Sequence, residues 1–149
     1  PRHYVSKTMA RIKSVDLMKL DPKDPLWDTL IKMTMDSSPY YTHAARTMLK
    51  KLRHQKRRKT DKQTDFSHAK AILLMNGSEV MAHNLIMKYR HEYHRILHAY
   101  TKNKYRKIGC QKRLLKYTSK KYNSLYFWTN NKAREKTFAY YRGTRTMDR

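Results

Sequence analysis

Turn-forming residues are scarce in this chain, with 3 Gly and 4 Pro among 149 residues. So few argue against an architecture of many short strands joined by tight turns. Cysteine is scarcer still. Cys110 stands alone, so no disulfide forms within the chain and no cysteine-based zinc site can be built from it. That suits a reducing compartment. No apolar run approaches the roughly eighteen residues of a membrane-crossing helix, and no membrane partner is expected. The most telling shortage is of acid: 11 Asp and Glu face 35 Lys and Arg, a formal net charge of +24. A compact domain so basic repels itself, and nucleic acid is the usual source of the missing counter-charge.

The charge is unevenly placed. Asp16, Asp21, Asp24, Asp28 and Asp36 gather five of the acids near the N-terminus. From Tyr93 onward there are only Glu135 and Asp148 against sixteen Lys and Arg. The basic surface therefore belongs mainly to the C-terminal two-thirds. Apolar residues make up 39%, enough for a modest core, with 12 Tyr and 9 Met among them. Tyrosine buries a ring while keeping its hydroxyl wet, which suits a half-exposed core or an RNA surface. The length fits one domain with extensions.

Residues 1–19 lack firm periodicity and read as an arm. The acid-free, basic stretch 1–13 would suit the remnant of an organellar presequence. Asp24 before Pro25 opens a helix carrying Leu26, Trp27, Leu30 and Ile31. Asp36-Ser37-Ser38-Pro39 breaks it. Ala44, Ala45, Met48, Leu49 and Leu52 then stripe a second helix that runs into a basic segment holding Lys50, Lys51, Arg53, Lys56, Arg57 and Arg58. No acid lies between Asp36 and Asp61 to neutralise it, so phosphate contact is expected there.

A short helix from Asp65, with Ala69, Ile72 and Leu73 on one side, is expected to stop at Asn76-Gly77-Ser78. Ser78 then caps a helix carrying Leu85, Tyr89, Tyr93, Ile96 and Tyr100 as one stripe. A further long helix holds Ile108, Leu115 and Tyr122 on one line, with Leu114, Thr118 and Leu125 beside it. Residues 133–141 read as a last short helix before a basic tail. No strand-like alternation stands out. The pattern predicts an all-α fold: a small antiparallel helical bundle with two long amphipathic helices and extended basic termini. Three regions follow: an N-terminal extension over 1–65, an RNA-binding bundle over 66–129, and a basic tail over 130–149.

The chemistry concentrates where Lys102, Lys104, Arg106, Lys107, Lys112, Arg113, Lys116, Lys120 and Lys121 interleave with Tyr105 and Tyr117. Basic groups on several faces of one helix fit RNA better than a lipid surface. Arg113 could fork onto two phosphate oxygens, and Tyr117 could stack on a base or bond a ribose, or be a half-buried core residue. His91, His94 and His98 would be neighbours on a helix surface. Two histidines four apart can bind zinc. Arg95 rather than Glu follows His94, however, and no third ligand is evident, so no metal is expected and RNA contact is preferred. There is no P-loop, nucleophile motif or paired-carboxylate arrangement. A non-enzymatic protein without cofactors is expected.

The line Ile108-Gly109-Cys110-Gln111-Lys112-Arg113-Leu114-Leu115-Lys116-Tyr117, with Tyr126 nine residues on, resembles the third and fourth helices of the small-subunit ribosomal protein 15 family. That family has Val-Gly, three basic or polar residues, Arg-Leu-Leu-x-Tyr and a second Tyr. Gly77-Ser78-Glu79-Val80 resembles its Gly-Ser-Pro-Glu-Val turn, minus one residue. His94 and His98 fall on the two histidines of its His-Lys-Lys-Asp-His loop, with Leu97 and Tyr100 departing from the loop's Asp and Ser. The resemblance implies an all-α four-helix protein that binds a three-way junction in small-subunit rRNA. Gly77, Ser78 and Tyr117 would lie at the junction, and His94 and His98 near a second rRNA contact. Implied partners are small-subunit rRNA, neighbouring ribosomal proteins and large-subunit rRNA across the intersubunit face. An organellar, mitochondrial member with an N-terminal extension fits best. The rival readings are a lineage-specific mitoribosomal protein of either subunit unrelated to that family, a DNA-binding chromatin protein, and a nuclease or metal enzyme.

Overall fold

Gly77 takes φ +61°, a left-handed conformation that glycine adopts without a side-chain penalty. The chain reverses there, and the apolar runs on either side pair as antiparallel strands. The computed structural model describes residues 10–37, 39–54, 64–89, 93–122, 125–128 and 144–147. The reversal joins β2 (Thr64–Asn76) to β3 (Glu79–Tyr89). Strand β1 (Ala10–Asp16) pairs the other side of β2, and β4 (Tyr93–Thr101) pairs β3, all antiparallel. Two short strands, β5 (Leu125–Trp128) and β6 (Thr144–Met147), extend the sheet in parallel from β4. The spatial order is β1-β2-β3-β4-β5-β6. The helices are α1 (Leu26–Met35), α2 (Pro39–Arg53) and α3 (Cys110–Lys121).

Alternation along the strands sorts the core into two halves. Ala69, Ala71, Leu73 and Met75 of β2 join Leu85 and Tyr100 against Trp27, Leu30 and Met33 of α1 and Ala45, Met48, Leu49 and Leu52 of α2. Ile72 and Leu74 join Ile86 and Ile96 against Cys110, Leu114 and Leu115 of α3. The sheet is therefore sandwiched, with the α1–α2 pair on one face and α3 on the other. Besides an irregularity between Asp65 and Lys70, two register shifts adjust the fit of the central strands. One falls between Leu74 and Met75 of β2, opposite Met81, and the other follows Leu85 of β3, opposite Leu97 of β4.

The all-α expectation is wrong: the chain is α/β, with a sheet where a helical bundle was expected. The helix expected from Asp65 is β2. The helix expected after Ser78 is β3 and β4, and its supposed stripe is split: Leu85 and Tyr100 face α1 and α2, while Ile96 faces α3. The physical reason is burial on both sides. Residues 80–87 of β3 and 71–75 of β2 are buried without interruption, and a strand covered on both faces reads as a continuous apolar run rather than an alternation. The N-terminal arm contains β1. The long helix expected around Leu115 ends at Lys121, where Tyr122 turns to extended backbone. The short helix expected over 133–141 lies outside the described residues.

Helix α1 begins where expected. The Asp24 carboxylate accepts from the Leu26 N–H at 2.9 Å. The Trp27 indole N–H donates to the Asp21 carbonyl at 2.9 Å, so the Asp-Pro turn and the first core aromatic are fastened together.

Candidate nucleic-acid interface

Helix α3 starts at Gly109, whose φ of +84° gives the chain a sharp entry without a side-chain cap. Cys110, Leu114, Leu115 and Thr118 turn into the core. The 3.6-residue period then leaves Lys112, Lys116 and Lys120 in one outward row, all exposed. Arg113 is exposed beside them, but its guanidinium also donates to the Ala10 carbonyl at 2.7 Å. Lys121 reaches the Ser14 hydroxyl at 3.1 Å. These two side chains tie α3 to β1. Tyr117 is half-buried against the α3-side core, with the Lys121 ammonium 5.7 Å from its ring centre.

The connection into α3 is anchored just as firmly. Tyr105 is buried, and its hydroxyl donates to Glu79 at 2.6 Å. Lys104 meets the other carboxylate oxygen at 2.7 Å and Lys102 approaches it at 3.5 Å. Burial pushes the Glu79 carboxyl up, but the Lys104 and Tyr105 hydrogen bonds and the two lysine charges outweigh it and hold the pKa at about 2. Lys102 and Lys104 are thus engaged with Glu79. Arg106 donates to the Thr101 carbonyl at 3.2 Å and lies over the Tyr100 ring at 5.5 Å. Arg106 and Lys107 remain exposed at the turn, leading into the row on α3. This surface comes from a stretch with no Asp or Glu between Glu92 and Glu135.

The remaining candidates are dispersed. Lys50 and Lys51 are exposed near the end of α2, on the opposite face of the sheet from α3. Arg53 is not presented outward as a phosphate ligand. It binds Asp28 at 2.6 Å and the Pro22 carbonyl at 2.9 Å, closing α2 onto the start of α1. Lys56, Arg57, Arg58 and His91 lie outside the described residues. Gly77 and Ser78 form the exposed hairpin turn. Ser78 also borders a cleft of about 640 Å³ shared with Lys13, Lys19 and Lys102.

His94 and His98 are strand residues and face opposite sides of the sheet. The His94 ring packs on Tyr122 at 4.4 Å between centres. Burial, with the nearby His68 and Lys88 charges, lowers its pKa. His98 is buried. Its Nε2 is 2.7 Å from the Ser37 hydroxyl and its Nδ1 2.8 Å from His83 Nε2. The Ser37 hydroxyl donates to the Thr34 carbonyl at 2.8 Å, so it accepts from His98, and His98 in turn accepts from His83. This chain of donors fastens the C-terminal end of α1 to the middle of the sheet. His98 is a structural residue here, with its ring removed from any surface that RNA could reach.

Lys13, which the sequence reading leaves out, is exposed on β1 beside the Ser78 cleft, on the α1–α2 side of the sheet. The pairing of β1, which no local pattern announces, places Ser14 under Lys121 and Lys13 at that cleft. Among the described residues, no group of three or more His, Cys, Asp or Glu is placed to hold a metal ion, and no helix is long and apolar enough to cross a membrane. The arrangement can grip a polyanion with a rigid cationic ridge. No protein-family model, curated protein or solved structure matches the chain.

Proposed function

We propose that this chain is a structural RNA-binding constituent of an organellar, mitochondrial ribosome, gripping structured rRNA with the outer face of α3 and the turn before it. One observation carries the reading: Lys112, Lys116 and Lys120 lie exposed in one row on α3, with Arg106 and Lys107 exposed in the turn before it, all within an acid-free stretch. Phosphate neutralisation would supply most of the affinity, with turn and aromatic contacts choosing the site. The four-helix frame of the ribosomal protein 15 family is absent from this fold, so the junction contact implied for Gly77, Ser78 and Tyr117 loses its scaffold. The proposal therefore takes the form of a ribosomal protein unrelated to that family, of either subunit, with neighbouring ribosomal proteins as its other partners.

Charge reversal tests the surface. Lys112→Glu, Lys116→Glu and Lys120→Glu together should weaken binding to structured RNA by on the order of 100-fold at moderate salt and flatten its salt dependence. The same reversal at Lys50 and Lys51, on the opposite face, should act far less. Equal losses from the two faces would remove the assignment to α3. In cells the tagged chain should sediment with ribosomal particles. Sedimentation with chromatin, and a preference for duplex DNA over structured RNA, would overturn the function.

A further inference from the structure

Ile108 and Met35 are the large apolar side chains exposed among the described residues, at 55% and 60%. Met35 is the last residue of α1, on the side away from the buried Trp27, Leu30, Met33 and Thr34, where one exposed side chain is ordinary. Ile108 sits at the tip of the basic turn. It is bracketed by two residues in left-handed conformation, Lys107 at φ +66° and Gly109 at φ +84°. Glycine adopts that conformation freely, but lysine does not. An unfavourable backbone thus holds an aliphatic side chain in water.

The usual structural role for this residue is closed. Ile108 immediately precedes the cap of α3, the place from which an apolar side chain packs on the fourth residue of the helix. That residue is Arg113, whose guanidinium is directed to the Ala10 carbonyl. Nor is the turn slack. On its upstream side, the Tyr105 N–H donates to the Lys102 carbonyl at 2.9 Å and the Arg106 N–H to the Asn103 carbonyl at 3.2 Å. The Cys110 thiol reaches the Tyr105 carbonyl at 3.3 Å from the helix side. Tyr105 is itself buried and bonded to Glu79. The isoleucine is held out by a braced loop, so little ordering remains to oppose a contact made there.

We infer that Ile108 is an apolar wedge that packs on the face of an unstacked base, at a bulge or junction of the RNA gripped by α3. The inference rests on the RNA-binding reading and deepens it by naming the RNA feature recognised. Charge complementarity selects the occupant. Arg106 and Lys107 flank the isoleucine on one side, and Lys112 and Lys116 stand behind it on the helix. An unstacked nucleotide offers an apolar face to the wedge and anionic phosphates to the cations on either side. Aliphatic wedges inserted at base steps by basic proteins follow the same logic, and RNA recognition favours splayed bases over the paired helix.

The test uses the full chain and two RNA hairpins that differ by a single bulged 2-aminopurine. Wild type should bind the bulged hairpin about tenfold more tightly, as expected for covering one aliphatic side chain, with a fluorescence change at the bulge. Ile108→Ser should abolish that preference and the fluorescence change while leaving the salt dependence and the thermal melt unaltered. Ile108→Leu should retain both. Preference unchanged in Ile108→Ser, or affinity lost equally for both hairpins, overturns the wedge and leaves the RNA reading standing. Ile108-dependent binding of an acidic peptide in place of RNA overturns it in favour of a protein partner. A wild-type chain that binds neither hairpin brings down the RNA reading and the wedge together.

Discussion

At the scale of single residues, the chain from His83 through His98 and Ser37 to Thr34 has a defined direction, and that direction has a pH consequence. His83 spends its Nε2 proton on His98, and its Nδ1 has no hydrogen-bond partner. Burial first, and the neighbouring His98 second, push the His83 pKa well below 6.5. The unfolded chain therefore takes up a proton on this histidine as pH falls through 6.5, while the folded chain resists it. This contribution to stability is present above pH 6.5 and is lost progressively below it. Replacing His83 with Phe removes the titration but leaves His98 Nδ1 without its donor. His83→Phe should thus be less stable than wild type by about 1–2 kcal/mol at pH 7, with the gap narrowing by pH 5. Thermal melts across that range provide the measurement, and parallel pH profiles for the two proteins would refute the account. None of this was legible from sequence. His98 was grouped with His91 and His94 because a helix brings them together, whereas a strand with an extra residue at Leu97 sends His94 and His98 to opposite faces.

At the scale of elements, the legible parts were those whose signals are local. The Asp24-Pro25 start of α1, the stripe of α2 and the amphipathic run of α3 need only a capping residue and one period. The sheet was misread because its central strands are covered on both sides, so a buried run such as Ala71-Ile72-Leu73-Leu74-Met75 satisfies a helix template and a strand template alike. The deciding clue was present. Asn76-Gly77 between two apolar runs is the strongest short-range hairpin signal, although the same pair also serves as a helix stop. The candidate site was half legible. The acid-free basic stretch identified the α3 surface, but only the fold shows that Lys102 and Lys104 are engaged with Glu79, and Arg53 with Asp28.

The docking of α3 on β3 carries its own prediction. Thr118 and Asn84 are both fully buried between them. The Thr118 hydroxyl donates to the Leu114 carbonyl at 2.7 Å, and the Asn84 amide approaches that hydroxyl at 3.5 Å, while Asn84 Oδ1 has no partner. Thr118→Val strips Asn84 of this contact and should destabilise by about 1–2 kcal/mol. Pairing it with Asn84→Val replaces both polar groups and should recover that loss or exceed wild type, since an unsatisfied amide is removed from the core. Denaturant unfolding of the four proteins in the cycle decides it. Additive losses would mean that the two side chains do not interact across the α3–β3 contact.

At the scale of the whole molecule, the same +24 charge acts with opposite sign on folding and on binding, which makes salt the most informative single variable. Acids are engaged where the described residues allow: Asp16 with Lys70, Asp28 with Arg53, and Glu79 with Lys102 and Lys104. With 35 Lys and Arg against 11 Asp and Glu, cations far outnumber the acids that could neutralise them. In the free chain, added salt screens their mutual repulsion over a Debye length that shrinks from about 30 Å at 0.01 M to about 10 Å at 0.1 M. The melting temperature of the free chain should therefore rise with sodium chloride, by roughly 2–4 °C for each kcal/mol of repulsion relieved in a chain of this size. RNA binding should move the other way. Affinity should fall along a straight log–log line whose slope reflects on the order of five or more phosphate contacts. A structured RNA at low salt should raise the melting temperature more than salt alone, because it binds the folded state and supplies the counter-charge together. Lys112→Glu, Lys116→Glu and Lys120→Glu, combined, should blunt both responses: the variant gains less from salt when free and less from RNA when bound. A melting temperature that falls with salt in the free wild-type chain would show that its ion pairs outweigh its self-repulsion, and the argument from net charge to an anionic partner would then lose its thermodynamic footing.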